Sequence, residues 1–172
     1  FHAHSADYTN LQWYFDENSG SSVSNEGWNT TSEYDCSGVV VAVVDSGVDY
    51  NHEDLKNILW NRGYNYSTLT SMGGGQYGYN ALGTASGAYE STDVMDDYNH
   101  GTHIAGVIAA ELNGYGVTGA AKGIKIMSVK VLNESGKGAY SVILDGLNYV
   151  YKAKLAGVNV VAVNNSWGGD IA

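Results

Sequence analysis

Two side chains of this sequence, His100 and Asp45, stand where acid–base chemistry could be carried out. His100 precedes a nearly uninterrupted apolar segment, with Asn99 ahead of it as an N-cap residue type and two small residues after it. A general base requires a rigid support and access to solvent, and an imidazole at the start of such a helix has both. We therefore expect His100 at a helix N-terminus, with the rest of that helix buried on most sides.

The residues around His100 also allow two other interpretations. His103 follows three residues later on the same predicted helix, and that spacing could ligate a metal ion. A single histidine near a core often serves only as a hydrogen-bonding group of the structure. This segment alone leaves catalysis, metal binding and a structural role open.

Asp45 follows the run 39–44, which is continuous in valine apart from one alanine. Such a β-branched run is typical of a strand buried on both faces of a parallel sheet. A carboxylate at the carboxyl end of a buried parallel strand lies where α/β folds place their active sites. An aspartate in this position can also simply cap the turn that follows.

The elements that must hold these side chains alternate along the chain. Further strands are predicted over 124–132 and over 158–163, the second of them buried, and an amphipathic helix is predicted over 141–156 that Gly157 ends. Strands alternating with helices predict an α/β fold, a three-layer α/β/α sandwich on a mostly parallel sheet.

The remaining segments predict how the domain is arranged. We expect residues 1–37 to form an N-terminal arm lying on the main domain, 38–172, and residues 61–95 to form an inserted glycine-rich loop. Three glycines of that loop match the dinucleotide-binding pattern Gly-x-Gly-x-x-Gly, at Gly73, Gly75 and Gly78. No strand is predicted before them and no apolar helix after them, so a loop is the better interpretation.

The overall composition excludes several classes of partner. The 172 residues carry 8 basic and 18 acidic side chains, a formal net charge of -10, which argues against a nucleic-acid partner or an anionic membrane surface. No apolar run approaches the roughly 20 residues that span a bilayer. Cys36 is the only cysteine, so no internal disulfide is possible and a small buried apolar role is expected.

Four motifs in this order resemble the subtilisin-like serine proteases. They are Val41-Ala42-Val43-Val44-Asp45-Ser46-Gly47, His52-Glu53-Asp54-Leu55, His100-Gly101-Thr102-His103-Ile104-Ala105-Gly106 and Asn165-Ser166-Trp167-Gly168-Gly169. The resemblance covers nearly the whole chain. It implies that Asp45 is the triad aspartate, that His100 is the triad base and that His103 only supports the structure. A buried carboxylate would fix the imidazole tautomer and stabilise the imidazolium that forms.

The resemblance also implies a substrate cleft and a structural Ca²⁺ site. An extended peptide is expected to add as a strand between 136–138 and 166–168, with Tyr140 and Trp167 walling apolar subsites. Ordinary core packing is the alternative role of Trp167. The implied cleft residues are Gly136, Lys137, Gly138, Tyr140, Ser166, Trp167 and Gly168. The implied calcium ligands are Asp54, Asn113, main-chain oxygens of Glu111, Tyr115 and Val117, and Asp7 as a further candidate.

The sequence departs from the family pattern at its end. The sequence ends at Ala172, and from the resemblance we expect it to be truncated before the oxyanion-hole asparagine and the Gly-Thr-Ser nucleophile motif of the family. We expect the serine of an endopeptidase on a C-terminal remainder or a second chain, in a secreted or cell-surface mature form. The alternatives are an inactive pseudoprotease and a secreted Ca²⁺-dependent peptide-binding module.

Overall fold

The computed structural model describes Gln12 and residues 36–63, 66–83 and 90–169. Most of the predicted arm, including Asp7, lies outside the described residues, so the arm stays a prediction. The strands are β1 (Val40–Asp45), β2 (Gly78–Asn80), β3 (Lys125–Lys130) and β4 (Val160–Asn164), and the helices are α1 (Ser67–Ser71), α2 (His100–Ala109) and α3 (Tyr140–Leu155). The three predicted strands and the two predicted helices are present, with small shifts at their ends.

The strands form one sheet in the order β2-β3-β1-β4, and every neighbouring pair is parallel. Successive side chains of a strand point to opposite faces, and β1 therefore contributes to two cores. Val40 and Val44 pack in a cluster with side chains of α3, whereas Val41 and Val43 pack in a second cluster with side chains of α2. This places helices on both faces of the sheet, as an α/β sandwich requires, and confirms the predicted fold class.

Residues 61–95 contain regular structure that the sequence did not indicate. Within them lie α1 and β2, and β2 pairs with β3 at the edge of the sheet. A Cβ atom at Gly78 would overlap the Ser128 carbonyl oxygen, so glycine permits the two backbones to meet. The expectation of a loop is wrong for these residues, because a three-residue strand is too short to show a period.

Two expectations of burial are also wrong. Only Val160 of β4 is buried, and Val161 remains 58% exposed, because β4 is the outer strand next to β1. Helix α2 buries Gly101, Ala105 and Ala109, while Val107 is 48% exposed, because a single helix face meets the sheet. Over the described ranges, no helix has the length and apolarity needed to cross a bilayer.

Candidate active site

Asp45 and His100 meet at the carboxyl end of β1. The Asp45 side chain is fully buried, and its Oδ1 lies 2.8 Å from Nδ1 of His100, whose side chain is 40% exposed. A carboxylate only accepts hydrogen bonds, so Nδ1 of the imidazole is the protonated nitrogen and Nε2 is left as the basic one. The second carboxylate oxygen, Oδ2, is buried without a hydrogen-bond partner among the described residues. The structure therefore brings the two predicted residues together.

The pair is joined by a second link through the residues next to it in sequence. The Ser46 hydroxyl oxygen accepts a hydrogen bond from the Gly101 amide at 2.9 Å. The amide of Ser46 also donates to Asp45 Oδ1 at 2.7 Å, which holds that carboxylate oxygen in place. Strand β1 and helix α2 are thus connected twice, once by the contact between His100 and Asp45 and once by the hydrogen bond between Gly101 and Ser46.

Asp96 organises the N-terminus of α2, a role that the sequence did not assign to it. Its Oδ1 accepts from the Ser46 hydroxyl at 2.8 Å and from two backbone amides of the turn that leads to His100. Its Oδ2 accepts from the amide of Thr102 at 2.8 Å and from the Thr102 hydroxyl at 2.6 Å. An anion at this end of a helix satisfies free amides and favours the helix dipole.

The expected capping by Asn99 is wrong. Asn99 adopts a left-handed backbone conformation with φ of 80° and makes no side-chain cap hydrogen bond. The left-handed turn reverses the chain so that Asp96, which precedes the helix, reaches its first amides. An Asp-rich segment ahead of a helix was the available signal, but it did not predict the turn.

Burial and hydrogen bonding have opposite effects on the Asp96 carboxyl. Burial raises its pKa, whereas hydrogen bonds from Thr102, Tyr98 and Ser46 lower it, and the net pKa lies below the ordinary value. Asp96 is therefore held as an anion between α2 and β1.

Two glycines allow other segments to approach the end of β1 closely. A Cβ atom at Gly101 would overlap the Gly47 carbonyl oxygen and lie 3.2 Å from Cβ of Asp45. Gly47 has φ of 109°, and a Cβ there would lie 2.6 Å from the Val94 carbonyl oxygen. Both positions are closed to side chains, so helix α2 and the segment 94–96 can both pack directly on the end of β1.

The first predicted cleft segment lies beyond β3. Asn133 and Lys137 close a turn through a backbone bond of 2.9 Å from the Asn133 amide to the Lys137 carbonyl, and the Lys137 amide donates to Asn133 Oδ1. The main-chain groups of Lys137 are thus used within the turn. Gly138 is exposed, and Gly136 is partly covered by the ring of Tyr98.

The second predicted cleft segment continues from β4. Ser166 and Gly168 are exposed, whereas Trp167 is half-buried, packs against the core on the α3 side and donates its indole N–H to the Val44 carbonyl at 2.8 Å. This contact agrees with the core-packing role of Trp167. Tyr140, the first residue of α3, is 68% exposed. The cleft assignments stay predictions.

Several predicted calcium ligands lie around Asp54. Its buried carboxylate accepts hydrogen bonds from the Asn113 amide group at 3.2 Å and the Val117 backbone at 3.1 Å. Gly116 lies directly against it. Gln12, which the sequence did not bring forward, pairs with both backbone groups of the adjacent Thr118.

Asp54 would supply one buried carboxylate to the predicted ion, and Ca²⁺ binds oxygen ligands of this kind. In the structure the NH₂ group of Asn113 faces Asp54, and the Asn113 side-chain oxygen accepts a hydrogen bond from the Tyr115 amide at 3.2 Å. The calcium assignment stays a prediction. In the described ranges, no three His, Cys, Asp or Glu side chains cluster as metal ligands, and His103 is exposed. Binding of a metal by His100 with His103 therefore has no support from the structure.

Fold and site together define an α/β protein with a carboxylate–imidazole pair at the carboxyl end of its parallel sheet. Residues 36–171 match the sequence model of the Subtilase family. The chain therefore belongs to the subtilase family.

Known proteins agree with this membership. Subtilisin E of Bacillus subtilis (strain 168) is 35% identical over 137 residues, covering 79% of this chain and 28% of the relative. An intracellular serine protease of Paenibacillus polymyxa is 36% identical over 129 residues, covering 74% of this chain and 33% of the relative. The crystal structure of a cold adapted subtilisin-like serine proteinase aligns with a TM-score of 0.57 at 28% identity, covering 81% of this chain and 40% of that one. The chain thus spans about a third of the length of these curated relatives.

Proposed function

We propose that this chain supplies the aspartate and the histidine of a serine endopeptidase. The observation that carries the proposal is the 2.8 Å contact between the buried Asp45 carboxylate and Nδ1 of the exposed His100 ring. Nε2 of His100 then accepts the proton of a serine hydroxyl as that oxygen attacks a peptide carbonyl. Asp45 keeps the required tautomer and stabilises the imidazolium.

The proposed nucleophile lies on the C-terminal remainder of the protease or on a second chain. The relatives are about three times as long as the matched region. Apolar side chains of β4 and α3 are exposed, with Val161 at 58% and Leu155 at 64%. An apolar surface of this kind at a sheet edge suits coverage by further parts of the domain.

The proposed substrate is a peptide or protein segment in an extended conformation. It would pair by main-chain hydrogen bonds along Gly136–Gly138 and Ser166–Gly168. Because the turn already uses both main-chain groups of Lys137 and the amide of Gly136, the substrate would pair with the Gly136 carbonyl and with the main chain of Gly138.

Labelling with a fluorophosphonate tests the proposed activity. The protein is expressed from its complete gene and purified with any chain that accompanies it, and the modified residue is located by mass spectrometry. We expect one labelled serine, and its labelling to fall by more than about 1,000-fold in His100→Ala, on the scale known for subtilisin. His103→Gln, whose exposed side chain lies one turn away, is the control and retains labelling.

Absence of a labelled serine on every copurifying chain would overturn the protease proposal. The protein would then be a pseudoprotease or a peptide-binding module, and peptide binding without cleavage would distinguish the second of these. Equal loss of labelling in His100→Ala and His103→Gln would contradict the proposal that His100 is the base.

We also propose a structural Ca²⁺ ion held by Asp54, Asn113 and the main-chain oxygens of Glu111, Tyr115 and Val117, with Asp7 as a further ligand. The bound ion would neutralise the buried Asp54 carboxylate and fix the turn that follows α2. Chelation with EGTA is expected to lower the melting temperature, because an ion that binds only the folded state stabilises it. The variant Asp54→Asn should lower the melting temperature and lose most of the response to EGTA. An unchanged melting temperature of the original protein after chelation would contradict the proposed calcium site.

A secreted or cell-surface location completes the proposal. It rests on the resemblance alone, and two relatives bear the name of intracellular serine proteases. Immunoblots of medium, surface fraction and cell lysate separate the possibilities. Protein found in the lysate alone would contradict secretion.

A further inference from the structure

Lys130, at the carboxyl end of β3, is a buried cation beside the catalytic pair. Its side chain is 2% exposed, and the register of the sheet places it opposite Asp45 on the neighbouring strand. The ammonium group donates to the carbonyl oxygens of Ser46 at 2.5 Å and Leu132 at 3.1 Å and to Asp97 Oδ1 at 2.6 Å. An ammonium has three protons, so these acceptors satisfy it completely.

The three acceptors belong to three different segments. Ser46 follows Asp45, Asp97 lies in the turn that leads to His100, and Leu132 begins the segment that continues to Gly136–Gly138. The backbone amides of Val131 and Leu132 also donate to the Asp45 carbonyl, at 2.8 and 3.2 Å. All three segments are therefore held within reach of one ammonium group.

Burial of a charge is costly unless its partners are well placed, and removing one partner exposes that cost. Neutral donors could satisfy the two carbonyl groups of Ser46 and Leu132. An ion pair with Asp97, in contrast, requires a cation such as the Lys130 ammonium. Tyr98, next to Asp97, packs its ring on Gly136, so the same two segments touch a second time. These contacts connect the turn before His100 with the predicted cleft.

We propose that Lys130 is a positioning residue that holds Asp45, the turn before His100 and the start of the cleft segment in one arrangement. It acts through these segments and touches neither the substrate nor the imidazole. This inference rests on the proposed function, because it concerns the geometry of proton transfer to His100. Small misplacements of such groups have large effects on rate, and Lys130 is expected to act on kcat more than on KM.

The test compares variants of the protein expressed from its complete gene. Lys130→Met keeps the length and apolar stem of the side chain and removes the ammonium. We expect kcat on a peptide substrate to fall by about 10- to 100-fold while KM changes less than about threefold. Lys125→Met is the matched control, because Lys125 lies at the other end of β3 and its ammonium also contacts a backbone carbonyl, that of Asn57.

A second readout does not depend on activity. Hydrogen exchange is expected to become faster in Lys130→Met both in the segment 96–102 and in the segment 131–138, and to stay unchanged there in Lys125→Met. Unchanged exchange in the two segments would overturn the inference, as would a kcat within about threefold of the original. Equal effects of the two lysine variants would also overturn it.

Asp97→Asn covers the case in which Lys130→Met does not fold. It removes only the negative charge of a partly exposed side chain and leaves the Lys130 ammonium an oxygen acceptor, so we expect it to disturb folding less than Lys130→Met. We expect faster exchange in 96–102 and a smaller fall in kcat. If the original protein shows no serine labelling, the protease proposal fails, whereas the exchange result still decides the role of Lys130.

Discussion

Replacing Asp96 with asparagine tests whether this carboxylate is what holds helix α2 against strand β1. The substitution keeps one oxygen for the Ser46 hydroxyl and the turn amides. It places an NH₂ group opposite the Thr102 amide, where Oδ2 accepts two hydrogen bonds in the structure. A donor then faces a donor, and the Thr102 amide loses its partner.

The expected loss follows from the hydrogen bonds involved. A hydrogen bond to a charged group contributes about 1.5–3 kcal/mol, so the two bonds to Oδ2 would give about 3 kcal/mol at the lower end of that range. Asp96 is only half-buried, and water replaces part of the loss. We therefore expect the free energy of unfolding to fall by about 2 kcal/mol at pH 7.

The loss should depend on pH in one direction. The pKa of Asp96 is below its ordinary value, because the hydrogen bonds outweigh the effect of burial. The folded state thus binds a proton less readily than the unfolded state. The contribution of Asp96 to stability is complete above the ordinary carboxyl pKa of about 4 and is lost as the pH falls through the lower pKa of the folded state. The difference in stability between the original protein and the Asp96→Asn variant should therefore shrink below about pH 4.

Urea unfolding at pH 7 and at about pH 3, followed by tryptophan fluorescence, measures both quantities. Asp93→Asn is the control, because Asp93 is exposed in the same segment and accepts from the Met95 amide through an oxygen that asparagine retains. A loss below about 0.5 kcal/mol at pH 7, or a difference that is the same at both pH values, would refute the reasoning.

Three further substitutions test contacts around the sheet by the same unfolding assay. Gly101→Ala places a Cβ against the Gly47 carbonyl oxygen and should destabilise the protein by more than about 2 kcal/mol, so a neutral result would contradict the close approach. Trp167→Phe leaves the Val44 carbonyl without its indole donor and should cost about 1 kcal/mol, which an unchanged midpoint would exclude. Ser128→Ala removes a buried hydroxyl that has no partner among the described residues and should be neutral or stabilising by up to about 1 kcal/mol, and a clear loss would show that the hydroxyl is bonded.

The sequence predicted the central part of the fold and the pairing of Asp45 with His100. The valine run ending in Asp45 identified a strand buried on both faces, and the apolar segment after His100 identified the helix. Both signals are local, because each is a run of apolar residues within a single strand or helix. The carboxyl end of a parallel strand then places Asp45 where such folds bring their functional residues.

The contacts that hold the pair could not be predicted in this way. Strand β2 depends on pairing with β3 and has no pattern of its own. Asp96 reaches α2 through a left-handed turn at Asn99. In the sequence, Lys130 has no feature that distinguishes it from other strand residues, and only the folded sheet places Asp97 and two carbonyl groups around its ammonium. Such roles arise from residues that are distant in sequence.

The glycines at positions 47 and 101 provide a criterion for sorting divergent homologues. Gly101 lets helix α2 approach the end of β1, and Gly47 lets the segment 94–96 approach it, and neither requirement depends on the identity of residues 45 and 100. A homologue that keeps both glycines but has lost the aspartate or the histidine retains the framework that brings residues 45 and 100 together. A homologue with a side chain at either glycine has a different framework, in which an aspartate at 45 and a histidine at 100 would not meet in the same way.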